Sequence, residues 1–175
     1  MTDTSAQTSV SVNARAGIPG MPFQSEGYKT VTRVATVDIP FGSYVAFDGE
    51  FCFIPTTAQG VAGREGGVAL RSHVYESGAG YKAGDIVNVM TRGEVWVNHN
   101  AGATAMDHAY VRISASSGSG AVGEFAGNAT GAAYAPGIRV AKNNGGAANA
   151  AAPTGSTLVS VIGVSDGWPT GAAGA

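Results

Sequence analysis

The chain predicts an all-β fold, a small β-barrel or jelly-roll-like sandwich, and three observations carry that prediction. Valine dominates the apolar residues larger than alanine, while only two leucines, Leu70 and Leu158, occur among 175 residues. β-Branched side chains lose rotamers in helices and fit pleated sheets. The 27 glycines would weaken helices by about 1 kcal/mol each relative to alanine, and they mark turns, bulges and loose connections. Short runs rich in Val, Thr, Tyr and Phe recur between turn signals at Pro40, Gly42, Asp48-Gly49 and Gly93, which is the punctuation of a sandwich or barrel.

Residues 1–28 read as an N-terminal arm. The segment is Ser/Thr/Ala-rich and then carries Gly17-Ile18-Pro19-Gly20-Met21-Pro22-Phe23, too broken by proline for a helix or a central strand. Two readings of it stand: a segment disordered on its own, or one that docks in extended form in a groove of a neighbour, with Ile18, Pro19, Met21 and Phe23 as candidate interface residues. A single β domain is expected over 29–164. Its strands are placed at Lys29 to Val37, Tyr44 to Phe47, Phe51 to Ile54, Gly67 to Leu70, Ile86 to Met90, Glu94 to Val97, Ala109 to Ile113, Ile138 to Ala141 and Thr157 to Val164. Neither alternating set of Lys29 to Val37 is purely apolar, which places that strand at an edge. Residues 114–136 and 142–156 read as long Gly/Ala-rich loops, and 165–175 as a flexible tail in which Trp168 either caps a core edge or anchors a partner.

The stretch Tyr81 to Val97 is expected to form a β-hairpin. Ile86 to Met90 and Glu94 to Val97 flank Thr91-Arg92-Gly93, with Gly93 free to take the left-handed conformation of a three-residue loop. Alternation then puts Val87, Val89, Val95 and Val97 on a core face and Asn88, Met90, Glu94 and Trp96 on a mixed face. A mixed face suits a partner, so Met90 and Trp96 join the candidate interface.

Charge and motifs exclude several functions. A net charge of −2 with 13% charged residues supplies no field for nucleic acid or an anionic membrane. A surface so poor in charge favours association, and a homo-oligomer, dimer or trimer, is expected. Residues 1–17 lack a basic start followed by an apolar block, and no run of about 18 apolar residues occurs, so neither a signal peptide nor a membrane helix is expected and synthesis is placed in the cytoplasm. The sequon Asn128-Ala129-Thr130 then stays unmodified. Cys52, between Phe51 and Phe53, reads as a buried inert thiol.

Gly118-Ser119-Gly120-Ala121-Val122-Gly123 matches a dinucleotide fingerprint in letters, but glycines and Pro136 follow where the phosphate-binding helix would have to start. His73, His99 and His108 lack metal-ligand spacing. Asp107-His108 has no nucleophile elbow to complete a triad, and the carboxylates Glu76, Asp85, Glu94 and Asp107 are scattered, with Asp85 assigned to its turn. No enzyme, cofactor or metal is expected.

The order of these pieces resembles the structural cement proteins, or capsid decoration proteins, of tailed bacteriophages. The resemblance runs from about Ala14 to Ile162. It rests on the Gly/Pro arm, Ile39-Pro40-Phe41-Gly42 leading into Tyr44-Val45-Ala46-Phe47, then Gly67-Val68-Ala69-Leu70. Tyr81-Lys82-Ala83-Gly84-Asp85-Ile86-Val87-Asn88-Val89-Met90 with Arg92-Gly93-Glu94-Val95-Trp96-Val97 follows, and Asp107-His108-Ala109-Tyr110-Val111-Arg112 and Leu158-Val159-Ser160-Val161 complete it. It implies a small β-barrel or jelly-roll-like protein on the virion exterior, made in the bacterial host cytoplasm, that binds the major capsid protein and stabilises the expanded shell by bridging neighbouring subunits. The chain departs from the shorter family pattern in loops 114–136 and 142–156 and in its tail after Gly163. The alternative from the residues alone is a carbohydrate- or receptor-binding β module, such as a head fibre base, using Trp96, Trp168 and tyrosines as stacking platforms.

Overall fold

A computed structural model describes residues 18–23, 27–72, 74, 79–99, 108–115, 120–126, 130–142 and 155–161. Among these, eleven strands and one short helix follow in order: β1 Lys29–Ala35, β2 Ile39–Pro40, β3 Tyr44–Asp48, β4 Phe51–Phe53, α1 Ala58–Ala62, β5 Gly66–Ala69, β6 Gly80–Tyr81, β7 Ile86–His99, β8 His108–Arg112, β9 Phe125–Ala126, β10 Ala132–Lys142 and β11 Gly155–Val161. The all-β barrel expectation holds. β1, β4, β3, β5 and the first half of β7 hydrogen-bond in that order, and the β1–β7 pairing closes them into a five-stranded barrel.

The second half of β7 continues into another sheet. It pairs with β11, and β10, β8 and β9 follow, β9 returning to β7 through His99↔Phe125. One strand is thus shared by both sheets, and two cores result. The barrel interior holds Ala35, Ile39, Phe41, Val45, Cys52, Ala69, Tyr81, Val87 and Val89. The second core lies between the outer face of β3 and β5 and the inner face of β8 to β10, and it holds Tyr44, Val68, Met90, Val95, Val97, Val111, Phe125 and Ile138. β5 is buried along its whole length because both its faces are covered, which is why it reads as a continuous apolar run instead of alternating.

The expected hairpin is not formed. Ile86 to His99 is a single 14-residue strand, and its two halves pair with different neighbours, β1 and β5 before Gly93 and β11 from Gly93 on. The residues placed in a hairpin loop make a bend with a bulge instead. The β1–β7 register runs Thr30↔Met90 and then Lys29↔Arg92, so Thr91 is the extra residue, and Gly93 has φ +128°. An extra residue reverses the in/out parity of everything beyond it. Accordingly Val87 and Val89 point into the barrel, whereas Met90, Val95 and Val97 all belong to the second core. The bend is sharp. Leu70 N–H donates to Asn88 O at 2.8 Å, Arg71 N–H to Gly20 O at 2.8 Å and Gly20 N–H to Trp96 O at 2.7 Å, a chain of contacts holding residues 88 and 96 within roughly 15 Å, where a straight strand would separate them by about 26 Å.

Two further expectations are corrected. β1 is no edge strand, because it pairs with β4 on one side and β7 on the other; its polar alternate residues face solvent on the outside of a barrel. The segment 114–136 is not all loop, since it contributes β9 and the start of β10, which pairs with β8 at Ala132↔Arg112 and Tyr134↔Tyr110. Small residues made it look structureless, yet Ala133 and Ala135 are buried where space is short. α1 was not foreseen. Thr57 caps it, its Oγ1 accepting from Gly60 N–H at 3.1 Å, and Val61 enters the second core. The Tyr44 hydroxyl donates to Val61 O at 3.3 Å, and burial pushes that phenol well above its ordinary range. Cys52 is fully enclosed in the barrel, and burial pushes its thiol up to about 11, as expected of an inert cysteine.

Candidate interaction surface

The arm residues Ile18 to Phe23 are held by the chain's own backbone. Ile18-Pro19-Gly20-Met21 is a β-turn closed by Met21 N–H donating to Ile18 O at 3.0 Å, with Pro19 second and Gly20 third at φ +82°, the pattern of a type II turn. The turn then pairs antiparallel with β7, through an isolated bridge Pro22↔Val95. Gly20 N–H donates to Trp96 O, Trp96 N–H to Met21 O at 3.0 Å, and Phe23 N–H to Glu94 O at 2.9 Å, while Gly20 O accepts from Arg71 N–H. Glycine is required at this crossing: a Cβ on Gly20 would stand 2.7 Å from Arg71 N and 3.1 Å from Gly42 N.

With the backbone anchored, the side chains turn outward. Ile18 is 50% exposed and Met21 and Phe23 are each 42% exposed. Phe23 stands edge-to-face against Trp96, with ring centroids 5.9 Å apart, and Trp96 is only 7% exposed. Tyr28 lies beside Gly93 and is also exposed. Arg71, whose guanidinium sits 5.1 Å from the Phe41 ring, and Glu94 border the patch.

Of the residues singled out from sequence, Ile18, Pro19, Met21, Phe23 and Trp96 come together here. Pro19 is half-buried, packed against Gly42. Met90 does not join them: it is fully buried in the second core, because the second sheet packs over the outer face of the barrel at that position. The mixed hairpin face expected to meet a partner therefore does not exist as a surface. Trp168 and loop residues 143–154 lie outside the described residues. What sequence reasoning missed is a second exposed apolar group. Phe51 (50% exposed) and Ile86 (61% exposed) flank Val34 in register across three strands. The signal was present in the alternation of β1 and β4, whose other faces fill the barrel, but the pairing of those strands was not.

The chemistry-bearing motifs disperse. Gly120 to Gly123 leads directly into strand β9, where the fingerprint needs a helix N-terminus. The His108 ring stacks edge-to-face on Tyr134 at 5.0 Å, and Tyr110 stands 6.2 Å from the same ring. Asp107 and His73 lie outside the described residues. Asp85 serves its turn, Oδ2 accepting from Lys82 N–H at 2.7 Å. Among the described residues no group of three His, Cys, Asp or Glu is arranged to hold a metal, and no helix is long and apolar enough to cross a membrane. What the arm residues form is an apolar patch on a fixed backbone.

No curated protein matches the chain. Among solved structures, a chain described as "The capsid of Myoviridae Phage XM1" superposes with a TM-score of 0.66 at 16% sequence identity, covering 91% of this chain and 99% of that one, which shows a shared fold. The family described as structural cement protein (E217 gp24/Pam3 gp6) matches residues 6–161. With that span matched, this chain belongs to the phage structural cement protein family.

Proposed function

We propose that the protein decorates the outer surface of a phage capsid, binding neighbouring major capsid subunits and stabilising the expanded shell, and that the patch of Ile18, Met21 and Phe23 makes a principal contact. The observation that carries this is the arm itself. Four backbone hydrogen bonds to β7 and Arg71 fix it in place, so three half-exposed apolar side chains are presented with little ordering entropy left to lose. Burying each contributes roughly 1 kcal/mol before association costs, a modest sum per site that repetition over a lattice multiplies. A ligand that binds only the expanded shell stabilises it by mass action, and no catalytic step is needed.

The alternative sugar-stacking role loses its main platform, because Trp96 is covered by Phe23. The test is capsid binding by variants of the patch. Met21→Glu and Phe23→Asp should each weaken binding to expanded capsids at least tenfold while leaving the thermal midpoint of the free protein near wild type, and removal of residues 1–28 should abolish binding. Unchanged binding by all three would refute the role of the arm.

A further inference from the structure

The basic side chains sort into two groups. Arg64 and Lys82 are paired, with Asp48 at 3.1 Å and Asp38 at 2.7 Å, the Arg33 guanidinium donates to Thr32 O at 2.8 Å, and Arg112 and Arg139 have partners of their own. Among the described side chains, the cations with neither an ion pair nor a hydrogen bond are Lys29, Arg71 and Arg92. All three border the arm patch. Arg71 donates its N–H to Gly20 O and lays its guanidinium 5.1 Å from the centroid of Phe41, a buried ring. On the other side Lys29 follows the exposed Tyr28 and lies directly opposite Arg92 in the β1–β7 register, next to Gly93, and both side chains are exposed. Between them runs β7, whose antiparallel bridge Pro22↔Val95 sets Phe23 beside Glu94 and Met21 beside Trp96, on the face turned away from Val95 and Val97 of the second core. Glu94 is the one carboxylate on that face among the described residues, and it has a partner of its own.

We infer that the arm patch recognises an acidic surface: the capsid subunit it binds presents carboxylates around the apolar residues that meet Ile18, Met21 and Phe23. This rests on the cement role proposed above and adds the partner's chemistry to it. Residues directly opposite on antiparallel strands have Cβ atoms about 5 Å apart, and like charges there repel. Lys29 and Arg92 carry that repulsion in the free protein with no described carboxylate to offset it. A partner carboxylate set between the two relieves it, so their charge favours the complex over the free chain. Arg71 supplies the opposite rim. Stacked on a fixed ring, its guanidinium has its N–H edges open to a carboxylate and little rotamer freedom left to lose. A phosphate backbone is a poorer match, because Glu94 stands among the cations and apolar side chains fill the space between them. With a net charge of −2 over the whole chain, grouping these cations on one side leaves the remainder more acidic still. The chain can then approach an acidic surface favourably by this side alone, which orients it.

Binding of the full chain to expanded capsids that lack it, measured at two salt concentrations, tests this. Lys29→Glu places opposite charges across β1 and β7, so the free protein should melt at or above the wild-type temperature while its dissociation constant for capsids at about 0.1 M salt rises about tenfold or more. A gain in stability with a loss of binding separates the charge effect from misfolding. Arg71→Gln keeps the backbone donor to Gly20 O and should raise the constant about threefold or more. Both differences should shrink at least threefold at about 1 M salt, where the Debye length has fallen from about 10 Å to about 3 Å. Met21→Ser removes apolar contact and no charge, so its loss of affinity should be the same at both salt concentrations. Charge variants that bind like the wild type at low salt, while Met21→Ser binds weakly, would overturn the acidic partner and leave the cement role standing. So would a Lys29→Glu defect of equal size at both salt concentrations. A wild type that binds no capsid would overturn the two together.

Discussion

Replacing Gly20 with alanine separates the arm's anchoring from mere proximity. Two costs are legible in the structure. A left-handed φ of +82° disfavours alanine by about 1–2 kcal/mol, and a Cβ placed 2.7 Å from Arg71 N and 3.1 Å from Gly42 N adds the overpacking of a site with backbone on both sides, about 1–3 kcal/mol. The sum cannot much exceed what releasing the arm would cost, which is four backbone hydrogen bonds at about 1 kcal/mol each. The expected loss is therefore about 3 kcal/mol. Gly27 provides the control: its φ is +80°, but a Cβ there meets nothing within 4 Å, so Gly27→Ala should cost about 1 kcal/mol. Urea denaturation of both variants gives the difference, and amide exchange measured by NMR shows where it arises. Gly20→Ala should lose protection at Phe23, Arg71 and Trp96, whose N–H groups bond the turn or its partners. If both variants lie within about 0.5 kcal/mol of each other and the Trp96 amide stays protected, the arm is not anchored as described.

Three other outcomes follow from the same geometry. Gly93→Ala should destabilise by about 2–4 kcal/mol in urea unfolding, since φ is +128° and the new Cβ would lie 2.6 Å from the Tyr28 Cβ; a neutral result would contradict the bend in β7. Met90→Ala should cost about 2–5 kcal/mol, as for a fully buried core side chain, whereas a surface methionine would show almost nothing by the same measurement. The Cys52 thiol should resist a thiol reagent at pH 8 in the folded protein and react at once in urea. Because burial raises it from 9.0 to about 11, the folded state holds the proton more tightly, so its contribution is present below pH 9 and is lost as the pH climbs toward 11. Cys52→Ala should flatten that part of the stability profile relative to wild type.

How much of this could be read from sequence depends on whether the information is local. The strands at Tyr44, Phe51 and Gly67 were legible because turn residues and β-branched runs define them within a few positions. Gly93 was rightly identified as a special backbone position, and the turn chemistry around it suggested a hairpin. Whether a glycine bend reverses a strand or only redirects it is decided by what pairs on either side, and here β1 and β11, some 60 residues away in each direction, take the two halves of β7. The parity change at Thr91 followed from that pairing, and it put Val95 and Val97 in the same core as Met90, whose face the second sheet covers. The arm residues Ile18, Met21 and Phe23 were visible as apolar groups among prolines, but their docking on Trp96 was not, because backbone hydrogen bonding to a distant strand leaves no local pattern. The row Phe51–Val34–Ile86 was hidden for the same reason: each residue looked like an ordinary strand position until the register aligned them.

Co-sedimentation of the purified protein with expanded phage capsids that lack it tests the central claim most directly. The account predicts saturable binding at a fixed number of copies tied to the capsid lattice, together with greater resistance of the loaded shells to heat. Protein that remains in the supernatant at every concentration, or that binds without saturation and leaves shell stability unchanged, would contradict it.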